Sequence, residues 1–346
     1  MTCLLQAVDT VHTADSVEWC PVEGFETILA CGTYQLMDTG IRQGSTSLFR
    51  WMQHENVVKK IFTGEFSDGI LDSKWAPASS GLLLALASSC GDVIFLKLKE
   101  SSEGDLIASK VERIHVTTDR TEALCLSLDW SKDLSNPLVV VSSDSSGCLH
   151  LVDVATGTTT SSWKAHDFEA WISALDHDSS VVFSGGDDCR LHMWDARNTK
   201  KPLLTSKRHE MGVCSIQVHP TLKHIVASGS YDEVLCLWDK RQMSKPIKDL
   251  RLGGGVWRVK WHKSHADWVA TACMHNGFTI TDSRLNAGAP AEVLCSYKGH
   301  SSLAYGVDWC WLEHEAWRGH DHYAALLATC SFYDHCMHIW TANLPA

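Results

Sequence analysis

The 346-residue chain lacks most of the features that would place it quickly. Its 14 cysteines include no C-x-x-C pair, so neither a zinc ribbon nor a disulfide framework is indicated. They read as buried thiols in a reducing, cytoplasmic compartment. The longest apolar runs, such as GLLLALASS (81–89), fall far short of the roughly 20 residues that span a bilayer. No charged n-region followed by an apolar h-region opens the chain, so no secretory signal is expected. Positive charge is in deficit: 30 Lys and Arg against 41 Asp and Glu give a net charge of −11. Nucleic acid needs a basic face, so it is excluded as a partner, and a neutral or basic protein is favoured. The G-x-S-x-G elbow of the α/β-hydrolases is also missing.

What is present is repetition. SGGDDCRLHMWDAR (184–197) matches SGSYDEVLCLWDKR (228–241) at an offset of 44. SSDSSGCLHLVD (142–153), TACMHNGFTITD (271–282) and CSFYDHCMHIWTA (330–342) continue the series. An earlier feature recurs in step, with Trp19, Trp75, Trp130, Leu175, Val218, Trp261 and Trp309 in one column. Seven units near 45 residues with W-D endings are WD repeats, and they predict an all-β, seven-bladed propeller over residues 1–346 as one domain. LLQAVDTVH (4–12) has no blade of its own and is expected to supply the outer strand of the last blade. MDTGIRQGST (37–46) reads as an extended hairpin in blade one and KESSEGDLIASK (99–110) as a polar excursion after blade two. WLEHEAWRGHDHY (311–323) falls between the first two strands of blade seven. Its His314, His320 and His322 have the residue type for a metal, but an exposed His-rich loop needs none.

The repeats also sort the polar residues. A His before the first strand, a Ser or Thr in the second, an Asp in the next turn and the W-D Trp form a hydrogen-bonded set. His166, Ser184, Asp188 and Trp194 fit it, as do His209, Ser228, Asp232 and Trp238. His300, Asp334 and Trp340 give a third set with Cys330 in the Ser place. His275 falls in the Asp232 column of a blade that lacks the rest of the set, so an imidazole at the channel mouth stands beside a drifted turn as its reading.

Four positions before the Val218 column lie Asp15, Leu71, Leu126, Trp171, Cys214, Trp257 and Tyr305, expected to face one end of the channel. Nearby turns add Tyr231, Glu233, Tyr333 and His335. Aromatic faces attract a quaternary ammonium by roughly 0.5–2 kcal/mol each. The bland reading of the same aromatics is packing at blade junctions.

TADSVEWCP (13–21), AHDFEAWI (165–172), SKRHEMGVCSIQ (206–217), GSYDE (229–233), GGVWRVKWH (254–262), ACMHNGF (272–278) and CSFYDH (330–335) resemble the WD-repeat diphthine methylesterases of the diphthamide pathway. The resemblance implies hydrolysis of the methyl ester of methylated diphthine, the modified histidine of translation elongation factor 2. The products would be diphthine and methanol, ahead of the final amidation. The implied substrate carries a trimethylammonium, which a cage of Trp171, Trp257 and Tyr305 would hold. Arg258 would receive the carboxylate or oxyanion through its forked donor face. Two mechanisms stay open. Cys214 is an acyl-accepting nucleophile with a His as base, or His275 or His335 activates water directly. No metal or other cofactor is called for. The rival reading is a non-enzymatic adaptor. W-D-x-R occurs at Trp194–Arg197 and Trp238–Arg241 and resembles the signature of cullin-4 ubiquitin-ligase substrate receptors.

Overall fold

A computed structural model describes residues 1–66, 68–102, 105–117, 123–132, 137–285, 288–312 and 322–345. The sequence alternates short apolar segments with turn residues, and each group of four segments pairs into an antiparallel sheet. Seven such sheets form the ring, as the repeats predict. The inner strands are Thr13–Trp19, Ile70–Trp75, Cys125–Trp130, Ile172–Leu175, Val213–Val218, Arg258–Trp261 and Ala304–Trp309. Each lies beside the next around a central channel. Thr2–Asp9 pairs antiparallel with Cys336–Pro345 and is the outer strand of blade seven.

The repeated Trp column has a physical reason. Its residues are buried, from Trp19 at 0 % exposed to Trp75 at 5 %. Each buried side chain of this size contributes about 1.5–3 kcal/mol of apolar burial. Four of the indoles also lace one blade to the one before. Trp75 Nε1 donates to the Glu18 carbonyl at 3.1 Å, Trp130 to Lys74 at 2.9 Å, Trp261 to Gln217 at 3.4 Å and Trp309 to Lys260 at 2.9 Å.

An inner strand is a sheet edge, whose unpaired N–H groups would otherwise be left facing the channel. Side chains of the preceding blade accept from several of them. Asp308 accepts from Trp19 N at 2.7 Å, Asp129 from Leu175 N at 2.9 Å and Ser215 from Val259 N at 2.9 Å. Asp72 takes Leu128 N at 3.2 Å and Gln217 takes Trp261 N at 2.5 Å.

Two sequence expectations change here. Residues 99–110 do not follow blade two but lie inside it. Lys99 and Glu100 end its third strand and Leu106–His115 is its fourth, a hairpin whose Lys97 and Lys110 pair across. In blade seven the Ser place belongs to Thr329, not Cys330. Thr329 Oγ1 meets His300 Nε2 at 2.9 Å and accepts from Trp340 Nε1 at 3.1 Å. Asp334 reaches His300 only through Ser331, which bonds both. His314 and His320 of the His-rich loop lie outside the described residues, as does the side chain of His322.

Candidate active site

The mouth is built from one structural habit repeated around the ring. In five blades the inner strand carries a β-bulge, and the bulged residue is Asp15, Leu71, Leu126, Cys214 or Tyr305. A bulge re-aims the extra side chain out of the ladder. In blades four and six the same column falls just before the strand, at Trp171 and Trp257. Gly254 lets the chain reach Trp257, since a Cβ there would lie 2.1 Å from the Cys273 carbonyl oxygen.

The structure brings the predicted aromatics together. Ring centroids are 5.7 Å apart for Trp171 and Trp257, 5.8 Å for Tyr231 and Trp257, and 4.7 Å for Trp257 and Tyr305. Phe332, which the column counting missed, stacks on Tyr305 at 4.7 Å and continues toward Tyr34 at 6.3 Å. Because the rings touch, they form a continuous wall rather than three sides of an open box. Trp171, Tyr231, Trp257 and Tyr305 are half-buried, so each offers part of a face. Trp171 is fixed by its Nε1–H donating to Asp187 at 3.1 Å. The Nε1 of Trp257 is buried and makes no hydrogen bond among the described residues.

Arg258, the next residue, is 9 % exposed. Its guanidinium stands 3.3 Å from Asp72 but makes no hydrogen bond to any described residue. Burial works against its charge, yet the Asp72 and Asp15 carboxyls hold its pKa above the ordinary value. Arg258 also closes the inner end of a 440 Å³ cavity. Pro21, Pro77 and Pro220 line that cavity where the inner strands finish, so it opens on the face opposite the aromatic mouth.

The other candidates separate. Cys214 is buried, its S–H points to the Gly212 carbonyl at 3.3 Å, and burial pushes its thiol well above the ordinary value. That is the wrong direction for a thiolate nucleophile. His275 is exposed in the turn between the second and third strands of blade six. Its neighbour Met274 joins that turn to the mouth by accepting from Ala304 N at 3.0 Å. No hydrogen bond orients the His275 ring among the described residues. His335 is half-buried with φ 53° beside Phe332. Tyr333 is 69 % exposed and meets the wall edge-on at Phe332. Glu233 is taken by Arg251 at 3.0 Å.

Two clusters of potential metal ligands occur among the described residues: His166 with Asp188 and His192, and His300 with Cys336 and His338. In the first, His166 bonds Asp188 and Ser184, and His192 bonds Thr205. In the second, both nitrogens of His300 meet hydroxyls and His338 Nδ1 meets Tyr297. These are contacts of the blade scaffold. The two W-D-x-R arginines are engaged as well, Arg197 with Asp195 at 3.0 Å and Arg241 with Asp239 at 2.9 Å.

Comparison with known proteins adds the family. The chain is 43 % identical over 338 residues to a mouse protein named diphthine methyltransferase, covering 90 % of this chain and 70 % of the mouse protein. It belongs to the diphthine methyltransferase family. A Dictyostelium discoideum homolog of that name is 35 % identical over 367 residues, covering 95 % of this chain and 96 % of the homolog. The WD domain, G-beta repeat family matches residues 157–195 and 200–239. A chain in a crystal structure of a mitotic checkpoint complex superposes with TM-score 0.71 at 16 % identity, covering 98 % of this chain and 91 % of that one. That likeness concerns the propeller alone.

Proposed function

We propose that this protein acts in diphthamide biosynthesis by hydrolysing the methyl ester of methylated diphthine on translation elongation factor 2, releasing methanol. The family name supports methyl chemistry on diphthine. Cleavage rather than formation of the ester follows the resemblance set out above. The observation that carries the reading is an aromatic wall at the mouth followed at once by a buried guanidinium with unused donors. The wall suits a trimethylammonium, whose charge is spread over methyl groups that lie well on ring faces. Arg258 suits the oxygen that becomes negative when water adds to the ester carbonyl, because its donors are already fixed and desolvated.

The direct test incubates the purified protein with elongation factor 2 carrying methylated diphthine and follows the factor by mass spectrometry. Loss of one methyl with release of methanol is expected. An unchanged mass would remove the proposal.

Trp257→Ala tests the wall. It should weaken substrate binding by about 1–2 kcal/mol, a cation–π contact with some lost packing, and raise KM accordingly. A folded variant with unchanged KM would move the cation elsewhere.

A further inference from the structure

In the ring position that also carries Trp257 and Tyr305 lies a carboxyl that the propeller scaffold does not use. Asp15 holds, in blade one, the bulged position that Cys214 and Tyr305 hold in theirs. Leucines occupy it in blades two and three, so a carboxylate is not a requirement of the bulge. Asp15 is 4 % exposed and makes no hydrogen bond or close ion pair with a described residue. A buried carboxyl without a donor is costly in its charged form, and such a group calls for a reason. Arg258 from blade six and Asp72 from blade two face it with opposite effects. Tyr305, Cys31 and Cys330 complete its surroundings. Arg258, which faces Asp15, also lines the 440 Å³ cavity that opens on the far face.

We propose that Asp15 takes the proton from the attacking water, and that the trimethylammonium of the substrate brings it into its reactive form. The inference rests on the ester hydrolysis proposed above. The water oxygen bonds to the ester carbonyl carbon as one of its protons passes to the Asp15 carboxylate. The C–O bond to the methoxy group then breaks, and Asp15 returns the proton to the leaving oxygen, giving methanol. The carboxylic acid left on diphthine releases one proton to solvent. Asp15 is therefore a catalytic residue in this scheme, and the exposed, unoriented His275 is not the base.

Titration agrees with the geometry. Burial pushes the Asp15 carboxyl up to about 8, with Arg258 opposing and Asp72 reinforcing. In the empty site it is mostly protonated at neutral pH. A cation held against the wall favours the carboxylate, so the base ionises where substrate is bound. The groups around it stay in one state. Burial pushes Cys31 up to about 12 and raises Tyr305 and Cys330 further. Arg258 stays charged, and Asp72 is held below the carboxylate range by Arg258 and Lys74 against the cost of burial. One ring lower, burial raises Asp308 to about 7 against Lys260, so the Asp15 variant is needed to separate the two.

The experiment measures methyl release from modified elongation factor 2 by wild-type, Asp15→Asn and His275→Ala proteins across pH. The wild-type kcat/KM should rise with a midpoint near about pH 8 to a plateau above it, and the kcat limb should lie at lower pH because substrate is bound. Asp15→Asn should lose at least about a hundredfold in kcat, keep KM within about threefold and lose the ascending limb. The inference is overturned if Asp15→Asn stays within about tenfold of wild type, or if the large loss falls on His275→Ala instead. Should Asp15→Asn not fold, the wild-type profile decides, and a kcat/KM limb near an imidazole's ordinary value of about 6.5 overturns the inference. Wild-type protein that releases no methyl at any pH removes the hydrolysis and this inference together, whereas the other outcomes strike Asp15 alone.

Discussion

Arg258→Met should lower kcat about 10²–10³-fold, the usual loss when one preorganised donor to an oxyanion is removed. The methionine keeps much of the side-chain volume at the inner end of the cavity and removes the charge and the forked donors. Asp72 is then left buried without the guanidinium, but Lys74 remains bonded to it at 2.7 Å. Folding should therefore survive with a lowered midpoint. KM should change little, because the cation is held by the wall. Arg258→Lys separates charge from shape, since an ammonium keeps the ion pair but cannot present two parallel donors. It should recover stability more than turnover. Steady-state methyl release with a thermal melt of each variant checks this, and a kcat loss below about tenfold for Arg258→Met would displace the guanidinium from the reaction.

Asp232→Ala should do the opposite, costing about 2–4 kcal/mol of stability while leaving the mouth chemistry in place. Asp232 meets His209 Nδ1 at 3.0 Å and accepts the N–H groups of Glu210 at 2.9 Å and Val234 at 3.0 Å. His209 in turn meets Ser228, which accepts from Trp238 Nε1 at 2.8 Å. Removing the carboxylate strands a buried imidazole and two amides at once. The pH dependence has a fixed sign. Burial alone would raise the Asp232 pKa, but bonds from His209 and the backbone hold it at about 2. A folded value below the unfolded value near 3.9 gives stability that is complete above that value and is lost as pH falls through about 2. Wild-type and Asp232→Ala melting temperatures should accordingly differ most above about pH 4 and draw together in strong acid. Parallel curves across that range would assign the stability to packing instead.

The ring was legible because one buried column, Trp in five blades with Leu175 and Val218 in the other two, recurs once per blade, and the same counting led to Trp171, Trp257 and Tyr305. That step worked because one position recurs at the head of every inner strand, bulged in five blades and just ahead of the strand in the other two, so a count along the chain is also a count around the mouth. It failed where a turn changes length. The hairpin of blade seven holds one residue more than those of blades four and five between its Ser-place residue and that residue's cross-strand partner, which put Cys330 where Thr329 belongs. Phe332 escaped for the same reason. The depth of Asp15 and the idle donors of Arg258 lie beyond any spacing rule. They depend on blades one, two and six meeting across the channel, as when Lys260 reaches Glu18 from the other side of the chain.

The capped inner strands have a consequence for how this mouth can change over evolutionary time. With Asp308, Asp129, Ser215 and their equivalents already accepting the backbone N–H groups of the next blade, the channel wall offers a visiting peptide little main chain to pair with. Strand addition, the cheapest way to hold any peptide, is disfavoured there. A guest must be told apart by its side chain, through the seven positions of this column, five of them turned by bulges and two, Trp171 and Trp257, just ahead of their strands. Those positions carry almost none of the scaffold's hydrogen bonding, so they behave as a keyboard on a fixed frame. Exchanging one of them alters what the socket accepts while the frame keeps its shape, and a new modified residue becomes readable by a few substitutions rather than by a new fold.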